Sequence, residues 1–337
     1  MKVAVYYSNE DVRIEERPVP RISDDEMLVR MKASGICGTD VMEWYRRLKG
    51  PRVLGHEMAG EVAEAGANVG SFRKGDRVFV SHHVPCYNCR YCDEGNYTAC
   101  ESLHAGNYEP GGFSEYIRVP ARNVRYGTFL LPEGMSWEEA AMIEPLACAV
   151  LGQKRLQLKK GHSILILGAG ISGLLHIKLA KLAGARVIAT DINEYRLGKA
   201  REFGSDHVFN AGEYSPEKLK EVNEGRLADR VIVCAGAKEA VAHAISSIGR
   251  SGIILFFAVP REDIPIPPLR FWREEITVTF SYGAAPEDLK QAIELMAKGE
   301  IDIKSMITHR LPLSRAGEGF RLVAEAKESL KVVIVPD

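Results

Sequence analysis

The chain has 337 residues, of which 46% are hydrophobic and 26% charged, with 44 Lys and Arg against 45 Asp and Glu. A formal net charge of −1 gives no electrostatic reason to bind nucleic acid or a membrane surface, and no apolar run reaches the roughly 18 residues of a membrane span. The length favours two domains, and seven cysteines, four of them clustered, favour metal ligation in the reducing cytoplasm over a disulfide framework.

Short strands are predicted in the first 80 residues. Separated by Gly and Pro, they are typical of a small β barrel or sandwich, and they lie at 3–7, 27–32, 61–64 and 76–80. Cys37 follows one strand in a Gly-flanked turn, and His56 and Glu57 lie in a second such turn. This mixed set would leave a zinc ion one open position. On spacing alone, a core cysteine and a surface His–Glu pair are the more common interpretation.

A long loop over residues 81–110 contains cysteines in the spacing C-x2-C-x2-C-x7-C, namely Cys86, Cys89, Cys92 and Cys100. Four thiolates suit a closed tetrahedral zinc site, which leaves no position for a substrate and is therefore structural. A redox-active C-x-x-C pair and an iron–sulfur cluster are the alternatives, and the pair would leave two thiols unexplained.

Alternating strands and helices follow from about residue 160. The segment 135–156 before them is helical with a break at Pro145. The predicted strands lie at 164–167, 186–190, 207–209, 230–234, 252–258 and 276–280. The alternation predicts an α/β fold with a doubly wound parallel sheet. Helices near 286–298 and 316–326 and a strand at 332–335 complete the chain.

The first of these strand–helix units carries a G-x-G-x-x-G turn made by Gly168, Gly170 and Gly173. The first glycine permits the tight turn, the second lets the backbone approach a pyrophosphate, and the third lets helix and strand pack closely. The helix that begins near Ile171 and Ser172 offers unpaired N–H groups to the phosphates. Strand, glycines, helix, strand and acid in this order predict a dinucleotide site.

The acid of this unit is Asp191, at the end of the second strand. Its carboxylate is expected to accept hydrogen bonds from the adenosine ribose and to repel a 2′-phosphate, which favours NAD⁺ over NADP⁺. Arg196 lies nearby and weakens that preference, but we expect the carboxylate to dominate.

Taken together, the motifs resemble the zinc-dependent medium-chain alcohol dehydrogenases, most closely the sorbitol, polyol and threonine dehydrogenase branch. They include G-I-C-G-T-D, L-G-H-E, the four-cysteine loop, I-E-P-L and the glycine-rich turn, and they span essentially the whole chain. The resemblance implies a GroES-like β-rich catalytic domain over 1–147 and 300–337, which contains the structural zinc loop 81–110. It also implies a Rossmann NAD-binding domain over 148–299 and assembly as a homo-dimer or homotetramer.

The same resemblance implies roles for individual residues. Cys37 and His56 match ligands of a catalytic zinc, and Glu57 and Glu144 match the acids beside that metal. Thr39 matches the first group of a proton relay. With the four-cysteine site, this gives two zinc ions per chain.

The implied reaction is oxidation of a secondary alcohol, in a polyol, sugar alcohol or sugar derivative, to a ketone with NAD⁺. Met42 stands where many relatives carry a relay His, so the proton needs another exit. Glu43 and Tyr282 match substrate-region positions, and Ser281 stands where sorbitol dehydrogenases have Arg. The alternatives are a threonine-like 2-amino-3-hydroxy acid dehydrogenase and a non-catalytic nucleotide-binding protein.

Overall fold

A computed structural model of the chain describes residues 1–46, 50–105, 108–260 and 262–337. The chain forms two units, Met1–Ala147 with Gly283–Asp337, and Cys148–Tyr282. The stretch 283–299, which the sequence analysis places in the cofactor domain, is grouped with the first unit, and the predicted domain bounds stay a prediction. Within the described ranges, no helix is both long and apolar enough to cross a membrane.

The strands of the described residues are β1 (Lys2–Ser8), β2 (Asp11–Glu16), β3 (Met27–Gly35), β4 (Arg52–Val53), β5 (Glu57–Ala65), β6 (Arg77–Ser81), β7 (Tyr116–Val119), β8 (Thr128–Leu130), β9 (Ser163–Leu167), β10 (Arg186–Asp191), β11 (His207–Asn210), β12 (Ala228–Val233), β13 (Ile248–Phe256), β14 (Thr277–Phe280), β15 (Ile307–Pro312) and β16 (Lys331–Val335). The α-helices are α1 (Glu43–Arg46), α2 (Arg90–Asp93), α3 (Glu101–Ala105), α4 (Ala121–Gly127), α5 (Trp137–Ala140), α6 (Ile143–Leu156), α7 (Ile171–Leu182), α8 (Glu194–Glu202), α9 (Pro216–Val222), α10 (Lys238–Ser247), α11 (Pro268–Glu274), α12 (Pro286–Ala297) and α13 (Ala316–Glu325).

The first unit is built around a seven-stranded sheet in the order β15-β16-β3-β5-β6-β8, with β7 also paired to β3. Its pairs are antiparallel except for β15 with β16. Gly35, at the carboxyl end of β3, lies opposite Glu57 on one side and Val333 on the other. The sheet register therefore brings the end of β3 to the first residues of β5 and β16.

The second unit contains a six-stranded parallel sheet in the order β11-β10-β9-β12-β13-β14. The central strand β9 has all five residues buried, as expected when helices cover both faces of a parallel sheet. Strand order reverses between β9 and β12, which is where doubly wound folds bind their ligands. The predicted α/β fold class is confirmed.

The predicted helical break lies a few residues before Pro145. Helix α5 ends at Ala140 and α6 begins at Ile143, so the proline is in the first turn of α6. Proline is tolerated there because its missing N–H would have no partner within the helix. Glu144 is consequently a residue of the same first turn.

Candidate active site

Cys37 lies two residues after the end of β3 and caps a 3-10 helix over Gly38–Val41. Its sulfur accepts hydrogen bonds from the Thr39 backbone N–H at 3.4 Å and from the Thr39 hydroxyl at 3.3 Å. Its own N–H donates to Asp40 Oδ2 at 3.2 Å, which closes the turn. The turn therefore fixes the position of the sulfur at the carboxyl end of the strand.

His56 and Glu57 are brought to this sulfur by the pairing of β3 with β5. The ligand atoms of Cys37, His56 and Glu57 all lie within 4.8 Å of one another. One thiol, one imidazole and one carboxylate at this spacing fit a zinc ion with a position left open. The structure thus groups three of the predicted ligands, and their role as ligands stays a prediction.

Glu144 is a buried neighbour of this cluster rather than one of its three members. Burial lowers the pKa of Lys331, but the negative charges of Glu57 and Cys37 outweigh it, so that this pKa is raised. The negative charge of Glu144 adds a smaller contribution in the same direction. A buried carboxylate needs a compensating charge, and Lys331 is a cation within its electrostatic reach.

Lys331, the first residue of β16, is a residue that the sequence analysis missed. Its ammonium group forms an ion pair with Glu57 Oε2 and donates to the Ile36 carbonyl oxygen at 3.2 Å, and both charged side chains are 1% exposed. Gly35 provides the room, because a Cβ there would collide with the Glu57 carboxylate and approach the Lys331 side chain to 2.8 Å. In the sequence, a lysine before an apolar strand is indistinguishable from an ordinary surface residue.

Asp40 is the second missed residue, although it belongs to the G-I-C-G-T-D motif. It is completely buried, and its Oδ1 lies 3.5 Å from His56 Nδ1 and 3.1 Å from Arg46 Nη2. Burial alone would lower the pKa of His56, but the charges of Asp40 and Cys37 raise it well above its ordinary value. A carboxylate behind a ligand His fixes the ring orientation and the nitrogen that faces a metal.

The ring of His82 packs against the ring of His56, with 4.9 Å between their centroids. The ring of His83 packs against that of His82, with 3.6 Å between their centroids. Burial, followed by the charge of His83, lowers the pKa of His82 well below its ordinary value, so we expect this ring to be neutral. The pair follows β6, whose end is brought to the site by pairing with β5. Only that register, which the sequence does not reveal, connects these histidines to His56.

The two predicted substrate residues, Glu43 and Tyr282, lie in different units of the chain. Glu43 begins α1, and its Oε1 accepts a hydrogen bond from the Asn9 backbone N–H at 2.8 Å, so this carboxylate stabilises the turn after β1. Tyr282 is the last residue of the second unit, and about half of its surface is exposed. Contact of either residue with a substrate stays a prediction.

The sulfur atoms of the four-cysteine loop lie together. The Sγ–Sγ distances are 3.5 Å for Cys86 and Cys100, 3.6 Å for Cys89 and Cys92, and 4.0 Å for Cys86 and Cys92. Tetrahedral zinc with Zn–S bonds of about 2.3 Å requires sulfur separations of about 3.8 Å. Burial raises the pKa of Cys100, but backbone N–H groups of Cys86 and Leu103 overcome it and lower that pKa to about 6. The described residues of this loop, which omit 106 and 107, therefore fit a structural zinc site.

The glycine-rich turn of the second unit has the geometry that its motif predicts. Gly168 has φ of +103°, a left-handed conformation that favours glycine. A Cβ on Gly173 would collide with the Gly168 carbonyl oxygen, whereas a Cβ on Gly170 would meet only the Arg196 guanidinium, at 3.7 Å. The turn is therefore tight, closely packed on β9 and open beside the start of α7, where Ile171 and Ser172 lie.

Asp191 ends β10 and is tied to this turn. Its Oδ2 accepts the Ala169 N–H at 2.7 Å, and its Oδ1 accepts the Asn193 N–H at 2.9 Å. Arg196 has its Nε buried without a partner among the described residues, next to Gly170. The carboxylate and the guanidinium thus flank the predicted cofactor turn.

Comparisons with known proteins cover nearly the whole chain. Residues 23–127 match the family model described as "Alcohol dehydrogenase GroES-like domain", and residues 172–298 match the one described as "Zinc-binding dehydrogenase". The chain is 33% identical to the sorbitol dehydrogenase of Bacillus subtilis (strain 168), covering 100% of this chain and 98% of that protein. It is 32% identical to the L-galactonate-5-dehydrogenase of Escherichia coli (strain K12), covering 99% and 98%. A solved structure of a zinc-binding dehydrogenase from Sinorhizobium meliloti 1021, bound to NADP, superposes with a TM-score of 0.88 at 29% identity, covering 99% of each chain.

Proposed function

The chain belongs to the family of zinc-binding alcohol dehydrogenases, and we propose that it oxidises a secondary alcohol of a polyol or sugar derivative to a ketone, with NAD⁺ as hydride acceptor. The family resemblance drawn from the sequence motifs is confirmed, and with it the GroES-like and zinc-binding dehydrogenase parts of the fold. The observation that carries the proposal is the grouping of Cys37, His56 and Glu57 within 4.8 Å.

We assign the catalytic zinc to this group, with Glu144 as the further acid beside it. Zinc bound there supplies a Lewis acid that lowers the pKa of an alcohol hydroxyl. Asp40 orients the His56 ring from behind, and Lys331 holds the Glu57 carboxylate in place by their ion pair. The four-cysteine loop takes the second, structural zinc, which gives two ions per chain.

The Thr39 hydroxyl is the group of this chain that we assign to the substrate oxygen. It already donates to Cys37 Sγ at 3.3 Å, so a ligand at an adjacent open position falls within its reach. A hydrogen bond from a positioned hydroxyl stabilises negative charge that develops on the reacting oxygen.

The cofactor proposal is NAD⁺ rather than NADP⁺. Asp191 is a buried carboxylate at the end of β10, where dinucleotide folds bind the adenosine ribose. It disfavours a 2′-phosphate by charge repulsion. Arg196 beside Gly170 offers a compensating cation, and a relative bound to NADP shows that this family includes proteins that bind the phosphorylated cofactor.

We also propose that the protein is a cytoplasmic homodimer or homotetramer. Strand β14 lies at the edge of the six-stranded sheet, and Phe280 on it and Trp272 of α11 are largely exposed apolar side chains. Such an edge is normally covered. All seven cysteines are free thiols, as a reducing compartment requires. Sedimentation analysis that found only monomers would contradict the assembly.

NADH formation tests the proposed reaction over D-sorbitol, L-galactonate, a sugar phosphate and L-threonine. Wild type should oxidise at least one polyol or sugar derivative. Cys37→Ser should lose one zinc per chain and at least about 1000-fold in turnover, because the metal contributes several kcal/mol to the transition state. Cys148→Ser, a thiol of α6 in neither cysteine cluster, is the matched control.

Each result of this screen has a distinct meaning. Full activity in Cys37→Ser would refute the assigned zinc site. Turnover of L-threonine alone would favour the amino-acid alcohol alternative, and NAD⁺ binding without turnover would favour a non-catalytic protein. For the cofactor, Asp191→Ala should erode the preference for NAD⁺ while Asp191→Asn keeps an acceptor for the Ala169 N–H. An unchanged NAD⁺ to NADP⁺ ratio in both variants would refute the role of Asp191.

A further inference from the structure

One side chain holds both the hydroxyl and the carbonyl group of Thr39. Arg46, the last residue of α1, donates from Nε to the Thr39 main-chain oxygen at 2.8 Å and from Nη2 to Thr39 Oγ1 at 3.1 Å. The same Nη2 donates to Asp40 Oδ1 at 3.1 Å. The guanidinium also lies over the Tyr45 ring, at 5.2 Å from its centroid. These contacts use three of the five guanidinium donors and hold the group in one orientation.

The Thr39 hydroxyl has two hydrogen-bond neighbours among the described residues, Arg46 Nη2 and Cys37 Sγ. A hydroxyl has one hydrogen and two lone pairs, whereas a guanidinium only donates. Arg46 therefore occupies a lone pair of Oγ1, and the hydroxyl hydrogen is directed away from it.

We propose that Arg46 is a positioning residue that makes the Thr39 hydroxyl a fixed hydrogen-bond donor to the substrate oxygen. The inference rests on the proposed alcohol oxidation and adds a residue to it. When an alcohol oxygen lies beside Cys37, the hydroxyl hydrogen turns from the sulfur to that oxygen. The positive charge behind Oγ1 strengthens this bond as the oxygen becomes more negative.

Arg46 has a second connection to the site through Asp40, whose Oδ1 is 3.5 Å from His56 Nδ1. Loss of the guanidinium could therefore disturb His56 without any involvement of the Thr39 hydroxyl. The test has to separate these two routes. Thr39→Val does so, because valine removes the hydroxyl but keeps the main-chain oxygen and leaves Asp40 untouched.

The experiment is a double-mutant cycle of Arg46→Met and Thr39→Val, with kcat and KM measured for the best alcohol of the screen. Because Arg46→Met removes a charge-assisted hydrogen bond, it should by itself lower kcat by at least about tenfold. In the Thr39→Val background the same substitution should lower kcat by less than about threefold. Arg315→Met, an exposed arginine paired with Glu318, is the control and should leave kcat unchanged. An effect of Arg46→Met that is equal in both backgrounds, or absent, overturns the inference.

A second measurement does not require turnover. In cobalt-substituted protein, the absorption band from the Cys37 sulfur to cobalt responds to the hydrogen bond that Thr39 donates, over a four-cysteine background common to all variants. Arg46→Met should shift this band in the wild-type background and leave it in place in the Thr39→Val background. An identical band in wild type and Arg46→Met overturns the inference. If wild type oxidises no alcohol, the proposed function fails. The cobalt band still decides whether Arg46 fixes the orientation of the Thr39 hydroxyl.

Discussion

The ion pair between Lys331 and Glu57 gives the sharpest stability prediction. Both side chains are 1% exposed, and the ammonium group bonds only to the Glu57 carboxylate and the Ile36 carbonyl oxygen among the described residues. Lys331→Met keeps a chain of similar length and removes the charge. The Glu57 carboxylate then remains buried without its counter-ion.

The expected cost follows from that burial. Removing one partner of a buried ion pair destabilises a protein by about 3–5 kcal/mol. The first unit has about 200 residues, a size at which 1 kcal/mol shifts Tm by about 2–4 °C. Metal-free Lys331→Met should therefore unfold roughly 10 °C below metal-free wild type. Bound zinc should make the difference in Tm between Lys331→Met and wild type smaller, because a metal at Cys37 and His56 offers Glu57 a second cation.

Thermal unfolding of chelator-treated protein measures this difference. Lys32→Met is the matched control, because Lys32 and Glu61 form a partly exposed pair at 3.8 Å that should contribute less than about 1 kcal/mol. Lys331→Met combined with Glu57→Gln should recover most of the lost stability, since no buried charge is then unpaired. A metal-free Lys331→Met protein within about 1 kcal/mol of wild type would refute the reasoning.

Further predictions concern the second unit and the cysteine loop. Burial lowers the pKa of His176 to about 3 from 6.5, so below pH 6.5 the unfolded state binds more protons than the folded state. The free energy of unfolding should therefore fall by about 1.4 kcal/mol for each pH unit below 6.5. Urea unfolding of wild type should show this extra pH dependence relative to His176→Gln, and equal pH dependence in the two proteins would contradict it. Gly152→Ala should cost about 1–3 kcal/mol because its Cβ would lie 2.9 Å from the His176 ring, whereas Gly198→Ala, in open space on α8, should be neutral or stabilising in the same denaturation assay. Cys100→Ser should remove one zinc per chain by metal analysis and speed proteolysis of the loop, and an unchanged zinc content would argue against four-cysteine ligation.

Features that depend on residues close in sequence could be predicted without the structure. The four cysteines lie within 15 residues, and the three glycines of the cofactor turn lie within six, so their spacing alone defines the shape of each site. The parallel arrangement of the second sheet also follows from the strand–helix alternation, because parallel strands need crossover connections, which are usually helices. The fold class was predictable for this reason, and so was the grouping of the residues at both candidate sites.

Residues that act through burial and register could not be predicted. Lys331 reaches Ile36 across 295 positions of sequence, and its burial depends on the pairing of β16 with β3. Asp40 is part of the G-I-C-G-T-D motif, but its approach to His56 requires the pairing of β3 with β5. Glu43 shows a local contact that the sequence also did not reveal. Its Oε1 accepts the Asn9 backbone N–H, and its contact with a substrate stays a prediction.

The charges around Cys37 explain why two cations that the motifs do not include lie so close to the proposed metal site. Four of the groups there carry a negative charge when Cys37 ligates a metal, namely Cys37, Asp40, Glu57 and Glu144. Arg46 and Lys331 are the cations that contact or electrostatically influence them. Together the six groups carry a net charge of −2, which one divalent ion neutralises. Without the two cations the same ligand set would leave two uncompensated negative charges around bound zinc, in a site whose carboxylates are almost entirely excluded from water. Loss of a proton from an alcohol beside this excess of negative charge would be disfavoured, because it adds a further negative charge. Arg46 and Lys331 therefore belong to the chemistry of the site as well as to its stability.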